Sequence, residues 1–393
     1  DLAAMTYYVD PGVKETNEWK ELPAEITETF EKLGIPKAER EYLGGVGAQY
    51  DSGVVYHRLK QSLADKGVIF ENMDVALEKY PDLVREHFMT KCVPVEDHPF
   101  TMLHASVWSG GTFIYVPKGV KVSLPLQAYF RMNKMKSAQF EHTLIIADED
   151  SEITYIEGCS APQYNFSSLH AGCVELWVKP RAKITYISVE NWSRNTYNLN
   201  TKKALVFEDA KVEWINGNMG SHVTMLYPSS VLLGARARSD SLGIVVAGED
   251  QVQDTGSKAI HIGPDTVSVI RSKSVSKEGG VSNYRGYVRF LPSATNAESS
   301  VTCDALILDE RSASNTYPSV KNESPSASIA HEARVGKVGE DEVFYLMSRG
   351  YSEEAATRMI VGGFLDPIVK ALPLEYAIEL NRLIELEMEG SVG

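Results

Sequence analysis

The sequence lacks the features that mark several common classes of protein. It has no uninterrupted apolar run near the ~20 residues that a membrane-spanning helix needs. Its opening segment does not place basic residues before an apolar stretch, as secretory signals do. The formal net charge of −14, without any block of Lys and Arg, disfavours phosphate backbones as ligands. We therefore expect a protein of the cytoplasm, or of an organellar stroma or matrix, that binds neither membrane nor nucleic acid.

Cysteine is scarce, and the glycine motifs of nucleotide-binding enzymes are missing. The 4 cysteines lie far apart without a CxxC pair, which argues against a zinc finger and against a disulfide framework. No segment has Walker or dinucleotide-binding glycine spacing, so we expect that the chain does not itself hydrolyse ATP. The chain begins at Asp1 rather than at a methionine, and we expect a processed or trimmed product.

What the sequence does contain is a recurring strand pattern. From Phe113 onward, short stretches of apolar alternation flank tight polar turns, as in FIYVPKGVKVSL, LIIADEDSEITYI and LWVKPRAKITYI. A fixed recurrence of such units predicts a solenoid, in which each coil covers the apolar face of its neighbour. We predict a mainly β fold, a right-handed parallel β-helix. A sandwich or a propeller stays open, although the scarcity of Asn-Gly hairpin turns favours parallel stacking.

Helical periodicity flanks this core on both sides. Residues 1–98 are predicted to be a mainly helical region, residues 99–335 the β-helix, and residues 336–393 a C-terminal helical domain. The C-terminal domain contains the segments GEDEVFYLMSRG, SEEAATRMIVGGF and PLEYAIELNRLIELEMEG. The apolar stripe that begins at Tyr376 in the third segment either packs against the solenoid or binds a partner.

One candidate site combines Cys303 with the adjacent His331 and Glu332. His331 follows Cys303 by 28 residues, about one coil of the repeat. Residues one coil apart lie roughly 4.8 Å from each other, so thiolate, imidazole and carboxylate could converge on a metal such as zinc or the iron of an iron-sulfur cluster. The site offers at most three ligands, and we expect a second subunit to supply the remainder. The alternative for His331 is a capping or core histidine.

The other cysteines carry weaker signals. Cys159 follows a strand at a corner set by Gly158 and Pro162, which predicts an exposed thiol at a coil edge. The alternative is a small buried hydrophobic residue, and Cys173 fits that description better. Cys92 has no neighbouring candidate ligand in the sequence, and no role is assigned to it.

Several longer motifs carry a family resemblance. The segments GTFIYVPKGV, AYFRMN, TYIEGCSAP, PSATNAESSVTCD and HEARVGKVGEDEVFYLMSRG span most of the chain. The chain resembles the SufB/SufD family of the SUF iron-sulfur cluster assembly system, and its SufB branch in particular. The resemblance implies an assembly scaffold rather than an enzyme. Its implied partners are a SufC-like ABC ATPase bound to the C-terminal helices, a SufD-like paralogue or a second copy of the chain, and a cysteine desulfurase with its sulfur carrier.

The resemblance also assigns roles to residues. It implies that Cys159 accepts sulfane sulfur and that Cys303 builds a transient iron-sulfur cluster, with Arg131, Asn133 and Trp192 lining the route between them. A cation such as Arg131 would favour the thiolate or persulfide anion. A reduced flavin in the complex remains open.

One position departs from the family pattern, and two rival functions remain. Many family members have Glu-His-Glu where this sequence has Ala330, His331 and Glu332, so the first carboxylate is absent. The nearer rival is a SufD-like structural paralogue without its own assembly site, although such chains generally lack the two cysteines. The other is a carbohydrate enzyme of the pectate-lyase type, which shares the solenoid but not the thiols.

Overall fold

The structure is a computed structural model that describes residues 5–32, 36–37, 41–134, 136–162 and 167–370. Its helices are α1 Ala24–Lys32, α2 Gln61–Ala64, α3 Met73–Lys79, α4 Pro81–His87, α5 Pro99–Val107, α6 Glu340–Ser348 and α7 Glu353–Val369, with a 3-10 turn at Trp19–Glu21. Its strands are β1 Gly45–Tyr50, β2 Gly53–Leu59, β3 Ile69–Asn72, β4 Gly111–Val116, β5 Leu126–Arg131, β6 Ala138–Gln139, β7 His142–Ala147, β8 Glu152–Ser160, β9 Ser168–His170, β10 Cys173–Val178, β11 Lys183–Trp192, β12 Thr196–Val206, β13 Lys211–Gly220, β14 Val223–Leu226, β15 Ser229–Leu232, β16 Arg238–Ala247, β17 Val252–His261, β18 Val267–Ser276, β19 Val281–Phe290, β20 Glu298–Ile307, β21 Ala313–Asn322 and β22 Ser328–Lys337.

The strands stack into two long sheets that form the walls of a solenoid. One sheet runs β2-β1-β5-β8-β11-β13-β16-β18-β20-β22, and the other runs from β21 through β19, β17, β14, β12, β10, β7 and β4 to β3. From β5 and β4 onward, every neighbouring pair along these two paths is parallel and in continuous register. The predicted parallel β-helix is therefore confirmed, and the sandwich and propeller alternatives are wrong.

The repeated turns have a common backbone conformation. Asp150, Arg181, Asp209, Arg236 and Asp265 all have φ between 54° and 60°, the left-handed region in which short polar residues are most readily accommodated. Asp150 and Arg181 lie in the turns predicted within LIIADEDSEITYI and LWVKPRAKITYI. At these turns, arginines pair with the aspartates one coil earlier. Arg181 forms a bidentate pair with Asp150, and Arg236 forms one with Asp209. The corners thus stack into a polar ladder outside the core.

Inward and outward residues alternate along the strands because successive side chains of a strand point to opposite faces. The strand β12, TYNLNTKKALV, shows this as a strict alternation of buried and half-buried positions over its first eight residues. The inward faces of β5 to β13 and the opposing sheet form the main core, in which Phe130, Tyr155, Tyr186 and Trp214 are fully buried.

The N-terminal region contains strands as well as the predicted helices. The antiparallel pair β1–β2 extends the first sheet, because β1 pairs in parallel with β5. The segments that include α3 and α4 cover the outer face of the second sheet, where Met73 and Val84 pack against Phe113 and Leu144. The predicted domain boundaries remain predictions.

Two of the three predicted C-terminal helical segments are present as α6 and α7. Val361 and Leu365 of α7 pack against outward residues of the first sheet, including Ile187 and Ile244. The third predicted segment, with the stripe that begins at Tyr376, lies outside the described residues. Among the residues that the structure covers, no helix combines the length and the apolar character needed to cross a bilayer.

Candidate functional site

Cys159 lies inside the solenoid, at the end of β8. Its register neighbours are Phe130 on the preceding coil and Glu190 on the next one. The side chain is buried in the main core, so the prediction of an exposed thiol at a coil edge is wrong. The inward orientation at this position removes the thiol from water. Burial, followed by the charges of Glu157 and Glu190, raises the pKa of Cys159 well above its ordinary value.

Three charged side chains are buried in the interior near Cys159: Glu157 on β8, Glu190 on β11 and Lys202 on β12. Nζ of Lys202 lies 2.9 Å from Oε1 of Glu190 and 3.7 Å from Oε1 of Glu157, and it donates a hydrogen bond of 3.0 Å to the Ser188 hydroxyl. Burial raises the pKa of Glu157. Burial alone would also raise the pKa of Glu190, but Lys202 and His170 lower it below its ordinary value. The Lys202 ammonium thus lies between two carboxyl groups in the core near Cys159.

Sequence analysis missed this triad, although a signal for it was present. Glu157, Glu190 and Lys202 all occupy positions whose strand periodicity points them inward, where charged side chains are rarely found unpaired. Lys202 is also a cation that favours the thiolate form of Cys159.

The three residues expected to line the sulfur route occupy different surroundings. Trp192 is buried in the same core cluster as Cys159, and its indole N–H donates to Oε2 of Glu190 at 3.4 Å. Arg131 pairs in register with Ser160 and donates to its hydroxyl at 2.7 Å, on the face opposite to inward-facing Phe130. Asn133 follows β5, and its backbone N–H donates to Asp51 at 2.7 Å. Of the three, only Trp192 shares the interior cluster of Cys159.

A continuous inward-facing column connects the surroundings of Cys159 with Cys303. Register pairing stacks one residue of this column on each coil, in the order Glu157, Ser188, Asn216, Gly243, Ser272 and Cys303. Ser188 donates to Asn216 at 2.9 Å. A cavity of about 20 Å³ lies along this column and is lined by Asn216, Gly243, Ser272 and Tyr284 among others. The interior between the two cysteines is therefore polar and partly open.

Cys303 lies on β20, near the end of the described solenoid. Its Sγ lies 3.9 Å from Nε2 of His331, which projects inward from β22 on the last coil. Tyr284 of the opposing sheet belongs to the same cluster of buried residues. Burial raises the pKa of Cys303 to about 12, the Tyr284 hydroxyl lowers it in part, and the negative charge of Asp304 adds to the increase. The Cys303 thiol is buried, and its raised pKa favours the protonated form.

Glu332 does not join Cys303 and His331 in the single chain. It pairs in register with Thr302, whereas Cys303 pairs with Ala333, so Glu332 projects from the opposite face of the sheet. Its carboxylate accepts hydrogen bonds of 2.9 and 2.6 Å from Arg334 on the same exposed strand. The expected convergence of three ligand groups is thus found for Cys303 and His331 alone.

Comparisons with known proteins identify the family. Residues 130–364 match the family model described as SUF system FeS cluster assembly, SufBD core domain, and residues 49–128 match the model of the SufBD protein N-terminal region. The chain belongs to the SufB/SufD family. It is 52% identical over 389 residues to the iron-sulfur cluster assembly protein SufB of Bacillus subtilis, covering 99% of this chain and 83% of that protein. It is also 52% identical over 393 residues to an iron-sulfur cluster assembly SufBD family protein of Staphylococcus saprophyticus, covering 100% of this chain and 84% of that protein.

This SufB/SufD chain exposes apolar surface in two places. On α6 and the turn after it, Phe344, Tyr345, Met347 and Tyr351 are exposed, and Phe344 is 72% exposed. On the last coil, Val320 and Val335 are about half exposed. The strands β21 and β22 also end the two sheets, so their outer edges are unpaired within the described residues. Apolar patches and open strand edges of this kind are typical of surfaces that bind partner proteins.

Proposed function

We propose that the chain is a SufB-type scaffold. In this proposal Cys159 accepts sulfane sulfur, and a nascent iron-sulfur cluster forms at Cys303 on a subunit interface. Assembly is coupled to ATP hydrolysis by a separate ABC-type subunit. The observation that carries the proposal is the polar interior column that begins beside Cys159 and ends at Cys303. The reaction belongs in a reducing compartment, the cytoplasm or its organellar equivalent, because the cysteines must remain free thiols.

Sulfur acceptance at Cys159 is a transpersulfidation. The Cys159 thiolate attacks the sulfane sulfur of a donor persulfide, the donor sulfur-sulfur bond breaks, and the donor leaves as a thiolate without net oxidation or reduction. The raised pKa of Cys159 opposes thiolate formation. In this proposal Glu157, two residues from Cys159 on the same inward face of β8, takes up the thiol proton, and the Lys202 ammonium stabilises the anion that results.

Transfer to Cys303 requires a small carrier of sulfur. The two cysteines lie on strands separated by five coil steps in the sheet, roughly 24 Å at the usual strand spacing. No side chain spans that distance, so the persulfide is reduced by two electrons, which restores the Cys159 thiolate and releases hydrosulfide into the interior. A thiol or a reduced flavin is the class of reductant that this step needs. The cavity of about 20 Å³ is large enough for one water-sized molecule.

Cluster assembly at Cys303 needs more than one chain. Cys303 and His331 provide two ligands, whereas an iron-sulfur cluster usually takes about four. We infer that a second copy or a SufD-like paralogue docks on the exposed last coil and supplies the remainder, with Glu332 directed toward this interface. The exposed apolar residues of α6 are the docking surface for the ATPase, whose movement opens and closes the shared site. Incomplete ligation by either chain alone lets the cluster depart.

The test compares two sulfur sources in the complex that contains the ATPase partner. We expect Cys303→Ser to lose bound iron and acid-labile sulfide with either a persulfide donor or inorganic sulfide. Cys159→Ser should lose them with the persulfide donor and keep them with inorganic sulfide, which bypasses the acceptor. Cys92→Ala, a change at a buried cysteine outside the column, is the matched control. If both cysteine variants assemble clusters as the wild type does, the chain is a SufD-like structural subunit and the proposal is wrong.

A further inference from the structure

A second cluster of metal-binding side chains lies outside the solenoid interior. His104 comes from α5, His142 is the first residue of β7, and Cys173 is the first residue of β10. His142 and Cys173 are register partners on adjacent coils. One ligand atom from each of the three side chains lies within 4.8 Å of the others, and all three side chains are buried.

The outer nitrogens of the two histidines face groups that commonly orient metal ligands. Nδ1 of His104 lies 3.1 Å from the carbonyl oxygen of Ala171. Nε2 of His142 lies 3.2 Å from Oε1 of Glu175, although the contact is not aligned as a hydrogen bond. Metal-binding histidines almost always present their second nitrogen to a carboxylate or a backbone carbonyl in this way. The remaining nitrogens, Nε2 of His104 and Nδ1 of His142, face each other at 3.1 Å.

The hydrogen bonds of the histidines leave room for a metal ion. The Ala171 carbonyl can only accept, so the proton of neutral His104 is on Nδ1 and its Nε2 carries a lone pair. Glu175 accepts backbone N–H groups from Met89 at 2.5 Å and Val93 at 2.9 Å, which fixes its carboxyl group beside Nε2 of His142. Nε2 of His142 itself has no aligned hydrogen-bond partner among the described residues.

The separation of the two histidine nitrogens fits a tetrahedral metal ion. Two nitrogens bound at about 2.0–2.1 Å to a tetrahedral zinc ion lie roughly 3.3 Å apart, close to the separation found here. Two imidazoles and one thiolate are a donor set for borderline-soft divalent ions. We propose that His104, His142 and Cys173 bind one zinc-class divalent ion, with a water or other small ligand in the fourth position. The ion would join α5 to two coils of the second sheet, away from the column between Cys159 and Cys303.

The alternative is a neutral hydrogen-bonded chain without metal. In that arrangement Glu175 is protonated and donates to Nε2 of His142, and Nδ1 of His142 donates to Nε2 of His104. Cys173 is then a small buried hydrophobic residue. The two arrangements differ in whether the intact protein binds metal through Cys173, and this can be measured without reference to cluster assembly.

The test uses Co²⁺ as a spectroscopic probe in the full chain carrying Cys159→Ser and Cys303→Ser, which removes the thiols of the assembly path. Protein produced with Co²⁺ is expected to retain one ion per chain and to show thiolate-to-cobalt charge-transfer absorption with intense visible bands of a tetrahedral site. Adding Cys173→Ser should abolish the charge-transfer band, and His142→Asn should weaken binding by at least tenfold. Adding Cys92→Ala, the matched cysteine control, should preserve both the band and the stoichiometry.

A second measurement needs no substitution at the site. The thermal midpoint of the same protein is compared with Zn²⁺ and after removal of metal by a chelator under mild denaturation and refolding. We expect a higher midpoint with Zn²⁺, since an ion that binds only the folded state stabilises it. Absence of the cobalt bands together with an unchanged midpoint would overturn the proposal in favour of the neutral chain. A charge-transfer band that persists in the Cys173→Ser variant would overturn the ligand assignment.

Discussion

The Cys303 thiol lies 3.9 Å from Nε2 of His331, its neighbour on the last coil of the solenoid. Both side chains occupy inward positions, yet Cys303 is buried while His331 is exposed, because no further coil covers β22 within the described chain. An inward-facing pair at an uncovered end is accessible to a partner chain and also continuous with the polar column behind it. This relationship joins the proposed route for sulfur to the proposed interface.

His331 and Glu332 should differ when the chain is studied alone. His331→Gln is expected to lower the affinity of the isolated chain for Fe²⁺ at least tenfold, because it removes the imidazole beside Cys303. Glu332→Gln should leave that affinity within about twofold, since its carboxylate lies on the other face and contacts Arg334. In the assembled complex we expect both variants to lower the cluster yield. Fe²⁺ titration under anaerobic conditions checks the first statement, and equal losses in the isolated chain would contradict it.

Lys202 should be essential to the stability of the core. Lys202→Met leaves the buried carboxylates of Glu157 and Glu190 without their cation, and removal of one partner from such a buried group costs ~3–5 kcal/mol. The matched control is Lys203→Met on the same strand, where a partly exposed pair with Asp97 contributes ~0–1 kcal/mol. Urea unfolding followed by circular dichroism measures both. Similar midpoints for the two variants would show that Lys202 does not stabilise the folded chain by pairing with Glu157 and Glu190.

The triad also predicts a pH dependence with a definite sign. The pKa of Glu190 in the folded chain is lower than its ordinary value of 4.5, because Lys202 and His170 outweigh the effect of burial. A lowered pKa contributes stability that is fully present above the unfolded pKa and lost as pH falls through the folded one. The destabilisation by Glu190→Gln should therefore be largest at about pH 7 and shrink toward about pH 3. Glu149→Gln, at an exposed corner, is the control. A destabilisation by Glu190→Gln that does not change with pH would contradict the account.

The last coil should be the surface that binds a second SufB/SufD chain. Val320 pairs in register with buried Val288, so it faces inward but remains about half exposed. Val320→Lys places a charge on this uncovered apolar end and should raise the dissociation constant of the dimer at least tenfold, a cost of about 1.4 kcal/mol. Leu124→Lys, an exposed apolar position before β5, should have little effect. Sedimentation velocity over a concentration series measures the association. Equal weakening by both variants would contradict the assignment of the interface.

The fold could be predicted from the sequence because its signals are local and repeated. Strand alternation fixes the inward faces, and polar corners such as Asp150 and Asp209 recur at each coil. The family motifs then located Cys159 and Cys303. The strands β1 and β2 were missed because their place in the sheet depends on pairing with β5, which is distant in sequence. Short strands that are stabilised by such tertiary pairing leave little local signal.

The environment of each site residue was harder to predict than its position. A one-residue offset along a strand reverses the face of a side chain, so the coil spacing alone could not separate Glu332 from His331. The same alternation of faces directs Arg131 away from the face that Phe130 occupies, and it directs Lys202 into the solenoid interior. The cluster of His104, His142 and Cys173 was missed because its members come from three separate elements. Only the register of the coils and the position of α5 bring them together.

The most direct test of the central claim asks whether sulfur travels inside the solenoid. A persulfide donor carrying isotopically labelled sulfur is supplied with iron, a thiol reductant and excess unlabelled sulfide in the solvent. Gly243→Val is compared with wild type. Gly243 lines the internal cavity, and a Cβ atom added there lies 3.9 Å from its nearest neighbour, the Ser272 hydroxyl oxygen, so a valine side chain fits and fills the cavity. We predict that the wild-type cluster is enriched in labelled sulfide and that Gly243→Val loses this enrichment while it still assembles clusters from solvent sulfide. A wild-type cluster that carries only the isotope of the solvent would contradict internal transfer from Cys159 to Cys303.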